Sequence, residues 1–225
     1  RQLLKKKGIL HLVIQEFDQA LKCFDADSNV DIALIRAAES GAKFKRNDGV
    51  FRYDHLARIF RQFGNQYRNL IEAMYYNHMK FYSNKKRSAD EYLLLARAIL
   101  NVCNNVWHSS KYQVPLPYRD GVLDLSGTQY RNFSIAGGYG LNILAPLELK
   151  ELNLSNTPFF EFAQLSGLRF ETLNIANCNV NFIDEGRCGQ IRGFGVKNII
   201  VSSSISQAEL ENLKKHFSVK IIASE

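Results

Sequence analysis

Long apolar runs and paired cysteines are both missing from this sequence. No stretch approaches the roughly 18 apolar residues of a membrane-spanning helix, and no apolar segment of a secretory signal follows the lysines at positions 5–7. The cysteines are scattered and form no Cys-x-x-Cys pair: Cys23, Cys103, Cys178 and Cys188. This usage indicates free thiols in a reducing, cytoplasmic setting, although Cys178 and Cys188 could still meet in space.

Signatures of catalysis and cofactor binding are missing as well. The five histidines lie far apart, and none has the i, i+4 partner of a helical metal site. No Gly-x-Ser-x-Gly sequence occurs, and the glycine-rich pieces do not follow the strand–turn–helix order of phosphate loops. We therefore predict no catalytic, cofactor-binding or metal-binding residues, and we expect that the protein is not an enzyme.

What the sequence does contain is the composition of a globular protein with an uneven charge distribution. Hydrophobic residues make up 46% of the 225 positions and charged residues 23%. Of the net charge of +7, residues 1–115 carry +8 and residues 116–225 carry −1. The asymmetry indicates two modules. The chain opens at Arg1 without a methionine, which is compatible with a fragment or a processed product of unknown upstream sequence.

Residues 1–113 are predicted to form an α-helical module of about five helices. A second helix is expected after Ser28, ending near a left-handed cap at Gly41, and Asp54 is expected to cap a short helix. Residues 88–91 form a capping-box sequence at the start of the most hydrophobic helix. The first helix is predicted from residues spaced along one helical face: Leu10, Val13, Ile14, Phe17, Leu21 and Phe24.

A linker is predicted at residues 114–118, followed by a repeating module at 119–225. Prolines at 115 and 117 cannot continue a helix, which places the boundary there. Four segments then share the apolar pattern L-x-x-L-x-L-x-x-N/C: Asp120–Thr128, Leu149–Thr157, Phe170–Cys178 and Val196–Ser204. The next apolar position is filled by Tyr130, Phe159 and Val180, whereas the fourth copy has Ser206 there.

These segments resemble the leucine-rich-repeat family over about residues 120–205. The intervals between the copies are 29, 21 and 26 residues, as measured from Leu123, Leu152, Leu173 and Ile199, and the family's range is about 20–29. The resemblance implies short stacked strands, each pointing two alternate side chains into a shared core. Asp120 breaks the first copy, and threonine replaces the usual asparagine in two copies.

The expected fold is therefore of mixed helix and strand class. It combines an N-terminal α-helical module, docked on a short leucine-rich-repeat solenoid, with a C-terminal helix–strand cap from residue 206. Ser206 and Glu209 form a capping-box sequence for the cap helix, and Val219, Ile221 and Ile222 indicate a last strand. A cap is needed because an open stack would expose apolar side chains and an unpaired strand edge.

A partner-binding surface is predicted on the solvent-facing positions of the repeat strands. The family often binds peptides or proteins there, and the positions are small and polar: Asp124, Ser126, Asn153, Ser155, Asn174, Ala176, Ile200 and Ser202. We expect a protein or peptide partner and no cofactor. The aromatic and arginine residues that usually carry binding energy are missing from this surface.

The segment Leu149–Thr157 and the strand–helix–strand ending also resemble the repeat tails of some bacterial serine/threonine protein kinases, of the planctomycete and lentisphaera type. No kinase signature is present in the sequence. The resemblance implies a scaffolding or regulatory, kinase-associated region of a larger signalling protein.

Nucleic-acid binding is the alternative hypothesis, and we disfavour it. Basic runs occur at residues 5–7, 43–46 and 85–87, and neutralising phosphates with lysine and arginine releases counterions. All three runs fall at predicted termini or loops, where solvated charge is the usual situation.

Overall fold

The computed structural model describes residues 2–27, 29–44, 52–82, 89–106, 116–135, 141–180 and 183–223. The chain divides into two compact units, Arg1–Pro115 and Leu116–Glu225. The boundary falls inside the predicted linker, of which positions 114 and 115 lie outside the described residues.

Six α-helices form the described part of the first unit, where about five were predicted. They are α1 Gln2–Val13, α2 Phe17–Asp25, α3 Ile32–Lys43, α4 Tyr53–Phe63, α5 Arg68–Tyr82 and α6 Ala89–Asn104, with a 3-10 helix at Gly64–Tyr67. Every residue of α6 from Leu95 to Cys103 is buried, and the helix packs against α4 and α5.

The prediction of one continuous first helix is wrong. Helix α1 ends at Val13, and Gln15 takes a left-handed conformation with φ of 61° before α2 begins. The side chain of Gln15 is buried and lies 3.2 Å from Nδ1 of the fully buried His78, which holds the break in place. Leu10 is 65% exposed and Ile14 42% exposed, so the predicted apolar face does not form.

Two predicted helix boundaries are also wrong. Gly41 is buried inside α3 and does not cap it; a Cβ there would overlap the Phe17 ring, so this glycine allows α2 and α3 to approach closely. Asp54 lies inside the first turn of α4, where its Oδ1 accepts a bond from Arg52 Nε at 3.0 Å. Asp31 is the N-cap of α3, where its side chain accepts a hydrogen bond from the Ala33 N–H.

The second unit contains a six-stranded mixed sheet and two α-helices within its described residues. The strands are β1 Tyr118–Arg119, β2 Val122–Asp124, β3 Glu151–Asn153, β4 Thr172–Asn174, β5 Asn198–Ser202 and β6 Ser218–Ile222; the helices are α7 Glu185–Gly193 and α8 Gln207–Lys214. The strand order follows the chain. β1 pairs antiparallel with β2, and every later pair is parallel. The mixed helix-and-strand class is therefore confirmed.

The register of the sheet places equivalent positions of the four sequence segments side by side. Leu123 is opposite Leu152, Leu152 opposite Leu173, and Leu173 opposite Ile199. Behind the sheet these side chains form a first inner row, and the positions two residues later form a second inner row of Leu125, Leu154, Ile175 and Val201, all buried. Tyr130 and Phe159 are buried below the sheet and Val180 is half-buried, in keeping with their predicted filling positions.

The predicted cap helix and last strand are both present. Ser206 and Glu209 make a reciprocal capping box at the start of α8, as predicted, and β6 pairs with β5 over five residues. Helix α7 was not predicted, because its short sequence has a weak apolar pattern with three glycines.

Candidate binding face of the sheet

The outer face of the sheet carries two parallel rows of side chains, which we call row 1 and row 2. Row 1 consists of Val122, Glu151, Thr172, Asn198 and Ser218. Row 2 consists of Asp124, Asn153, Asn174, Ile200 and Lys220. Neighbouring members of each row lie on adjacent strands, which are about 4.8 Å apart. All ten residues are at least partly exposed.

The first three members of row 2 end their strands by the same hydrogen bond. The Oδ1 atoms of Asp124, Asn153 and Asn174 accept from the backbone N–H two residues later, at 3.0, 3.0 and 3.1 Å. This Asx turn bends the chain away from the strand direction. The following αL residues occupy equivalent positions and suit that conformation: Gly127, Asn156 and Asn177.

These bonds fix the orientation of the two row 2 amides. Only oxygen can accept from a backbone N–H, so Oδ1 of Asn153 and Asn174 must face the turn, and Nδ2 must lie on the other side. Neither Nδ2 atom has a hydrogen-bond partner among the described residues. Row 2 therefore presents two oriented side-chain NH2 groups on adjacent strands, and neither is used by the described residues.

Two of the predicted site residues are not solvent-facing. Ser155 is only 7% exposed and Ala176 is fully buried, which corrects their assignment to the binding surface. The reason is the Asx turn, which carries the chain inward after the strand; Ser155 also donates from Oγ to Asn153 Oδ1 at 2.8 Å. Ser126 remains exposed, because it lies at the outer end of the array.

The fourth repeat differs at the position that forms the turn. Ile200 has no acceptor oxygen, so β5 runs on to Ser202 and is longer than β2, β3 and β4. Ser202 is half-buried and shares a hydrogen bond with Ser204, 2.8 Å between the two Oγ atoms. Ile200 is also half-buried and is the apolar member of row 2.

Six outer-face residues were missed by sequence reasoning: Val122, Glu151, Thr172, Asn198, Ser218 and Lys220. The first four precede the middle apolar position of each repeat, so the same alternation of strand side chains could have identified them. Ser218 and Lys220 lie in the cap strand, whose register could not be derived from the repeat pattern.

The polar positions that close each turn bond to backbone carbonyls. Thr128 and Thr157 donate from Oγ1 to the carbonyls of Leu125 and Leu154, each at 2.7 Å. Cys178 in the third copy donates from Sγ to the Leu154 carbonyl at 2.9 Å, which links two layers. Burial raises the pKa of the Cys178 thiol, which favours this protonated donor form. The cysteines are all free, so Cys178 and Cys188 do not form a disulfide.

An ion pair lies beside row 1 at the ends where the strands begin. Lys197 Nζ is 2.8 Å from Glu171 Oε1, and both side chains are exposed. The hydrogen bond from Lys197, together with its charge, lowers the pKa of Glu171. An exposed pair of this kind adds little stability.

A depression of about 500 Å³ lies near the ends at which β2, β3 and β4 begin. Tyr118 lines it, and its hydroxyl donates to the Glu148 carbonyl at 3.0 Å. Burial and the charges of Glu148 and Asp120 raise the pKa of Tyr118. Lys150 and Arg169 oppose these acids, so the described lining of the depression has no predominant charge.

Only part of the basic sequence runs can be placed. Lys6 and Lys7 are exposed on α1 and Lys5 is half-buried, whereas the runs at 45–46 and 85–87 lie outside the described residues. Within the described ranges, no group of three or more His, Cys, Asp or Glu residues could hold a metal ion. No helix there is long and apolar enough to cross a membrane.

Comparison with known proteins yields no relative. No family model matches the chain, and no curated protein or solved structure shows significant similarity to it.

Proposed function

We propose that residues 119–225 form a short leucine-rich-repeat solenoid whose outer sheet face binds an extended segment of a protein partner. The observation that carries this proposal is the pair of oriented, unused Nδ2 donors on Asn153 and Asn174. An extended peptide offers backbone carbonyls as acceptors, and a rigid donor loses little conformational entropy on binding.

Charges along the outer face suggest the polarity of the bound segment. Asp124 and Glu151 lie towards the β2 end, and Lys220 lies towards the β6 end. We expect a basic residue of the partner near the first two side chains and an acidic group near Lys220. Ile200 supplies the apolar contact between them.

A displayed random-peptide library, selected on the full chain, tests this function. We expect selected peptides to bind the wild-type protein and to lose at least about tenfold in affinity against an Asn153→Asp, Asn174→Asp double variant. Aspartate retains the turn acceptor, as Asp124 shows, but removes the Nδ2 donor. Asn179→Asp, at an exposed position beyond the turn, is the matched control.

Two other outcomes would contradict recognition by Asn153 and Asn174. Selected peptides that bind the double variant as tightly as the wild type would rule out these amides as the recognition element. Loss of binding in Asn179→Asp as well would show a general effect of negative charge.

We further propose, from the sequence resemblance alone, that the chain is a scaffolding or regulatory region of a larger bacterial, cytoplasmic signalling protein. Sequencing the gene upstream of the codon for Arg1 tests this. A kinase domain in the same reading frame would support the regulatory role, and a start codon directly before Arg1 would contradict it.

Nucleic-acid binding stays an alternative prediction based on the basic runs. Its signature is an affinity that falls steeply with salt concentration. Absence of a gel shift with nonspecific DNA and RNA at low salt would remove it.

A further inference from the structure

The last strand of the sheet has an edge that no strand of the described residues pairs with. β6 is the terminal strand in the sheet order and pairs only with β5 among the described residues. Ser218 N–H donates to the Lys197 carbonyl, and the Ile222 carbonyl accepts from Ser203 N–H. Because backbone groups alternate sides along a strand, those of Val219 and Ile221 face the open edge.

The apolar inner rows also continue onto this strand, where Val219 is half-buried and Ile221 is exposed. Register places Val219 next to Ile199 in the first inner row, and Ile221 next to Val201 in the second. Val201 is buried, whereas Ile221 is 46% exposed. A cap strand is expected to cover the backbone edge and the apolar side chains at the end of the sheet. Among the described residues, β6 leaves both a backbone edge and the Ile221 side chain exposed.

We propose that β6 pairs with β6 of a second copy of this chain, antiparallel across a two-fold axis, and so joins two sheets into one. An axis perpendicular to the sheet keeps the inner face of one copy continuous with the inner face of the other. The same surface of each copy then forms the interface, which is the usual geometry of symmetric dimers.

The sequence of β6 selects one register for this pairing. Only residues whose backbone groups face the open edge can form the hydrogen-bonded pairs. Two symmetric registers overlap over five residues within Ser218–Ala223. In the first, Ile221 lies opposite its own copy, Val219 opposite Ala223, and Lys220 opposite Ile222, so every inner-face pair is apolar.

The second register is disfavoured by charge. It places Lys220 directly opposite Lys220 of the other copy, in a non-hydrogen-bonded pair with Cα atoms about 4.5 Å apart. Like charges directly opposite are destabilising. A five-residue edge is a small contact, so the dimer belongs to the weak, concentration-dependent class.

Disulfide trapping tests the register in the full-length chain. In the proposed dimer the two Ile221 Cα atoms are about 5.5 Å apart, within the range that a disulfide spans. Ile221→Cys is therefore expected to cross-link to a covalent dimer under mild oxidation. The two Val219 positions lie about 14 Å apart along the strands, so Val219→Cys should not cross-link.

Lys220→Cys and the wild-type protein complete the set. The proposed register leaves the two Lys220 positions about 8 Å apart, beyond disulfide reach, whereas the alternative register makes them direct neighbours. Faster cross-linking of Lys220→Cys than of Ile221→Cys would overturn the proposed register. The wild type, with its four native cysteines, measures the background.

Sedimentation over a range of concentrations tests the dimer without cysteine chemistry. Ile221→Lys places two like charges opposite each other and is expected to raise the dimer dissociation constant by at least about tenfold. Val122→Lys, a matched change at an exposed position of β2, should leave it unchanged. A wild type that stays monomeric throughout, with no cross-linking of Ile221→Cys above background, would overturn the proposal.

Discussion

At the residue scale, the acceptor side chains that end β2, β3 and β4 hold the turns of the second unit. Asn153 Oδ1 accepts from both the N–H and the hydroxyl of the buried Ser155. Replacing it with alanine leaves these donors without their partner, and a lost acceptor of this kind costs about 1–2 kcal/mol.

We expect Asn153→Ala to lower the free energy of unfolding by that amount, about 1–2 kcal/mol. Asn153→Asp should lose less stability than Asn153→Ala, because the carboxylate accepts the same bonds, as Asp124 does, and only the repulsion from Asp124 on the adjacent strand opposes this gain. Urea denaturation of both variants is the measurement. Equal midpoints for the alanine and aspartate variants would contradict the role of the acceptor.

Asp31 gives a residue-scale prediction for pH dependence in the first unit. The Tyr67 hydroxyl, 2.6 Å away, and the Ala33 N–H, 2.8 Å away, stabilise its carboxylate and lower its pKa below the ordinary 3.8. A depressed carboxyl pKa stabilises the folded state above the unfolded pKa, and this contribution is lost as the pH falls through the folded-state pKa.

In the Asp31→Asn variant, the free energy of unfolding should therefore decrease less than in the wild type as the pH falls below about 4. The amide can still cap α3, so the variant remains folded at neutral pH. Urea midpoints measured across the acid range give the comparison, with the exposed Asp25→Asn as the charge-matched control. If the urea midpoints of the variant fall with pH in the same way as those of the wild type, Asp31 does not contribute to the acid dependence of stability.

At the scale of elements, close helix contacts depend on glycine in the first unit. Gly8 is buried in α1, and a Cβ there would overlap the ring of Phe24, which is itself buried in α2. Gly189 in α7 is the useful contrast, because a Cβ there would meet nothing within 4 Å.

Gly8→Ala should destabilise the protein by about 1–3 kcal/mol, since overpacking outweighs the gain in helix propensity. Gly189→Ala should instead stabilise it by about 0.5–1 kcal/mol. Thermal melting of the two variants gives opposite shifts. Stabilisation by Gly8→Ala would mean that α1 and α2 are not packed as described.

The parts that could be predicted are those governed by local periodicity. The inner rows followed from the repeated L-x-L spacing, and the α8 capping box followed from Ser206 and Glu209. The break after α1 could not be predicted, because Gln15 is held by His78, 63 residues further along the chain. The burial of Ser155 and Ala176 depends on the turn, whose geometry the strand alternation does not contain.

At the scale of the whole molecule, the repeat unit depends on its C-terminal cap. Residues from 206 onwards supply α8 and β6, and β6 covers the edge of β5. Their removal would expose Ile199 and Val201 of the inner rows together with the backbone of β5.

Deletion of 206–225 is therefore expected to cause aggregation or loss of cooperative melting. Calorimetry and light scattering report the two effects, and substitution of Glu211 by glutamine, on the exposed side of α8, provides a folded control. A melting curve unchanged by the deletion would contradict the capping role.

The central claim is that the outer sheet face binds an extended segment through row 2. Nitrogen–proton correlation spectra of the full chain, titrated with a selected peptide, follow the side-chain amides directly, and the Asn→Asp variants assign the two signals. We expect the Nδ2 resonances of Asn153 and Asn174 to shift together as peptide is added and to saturate at the same peptide concentration. Saturation with both resonances unmoved would contradict it.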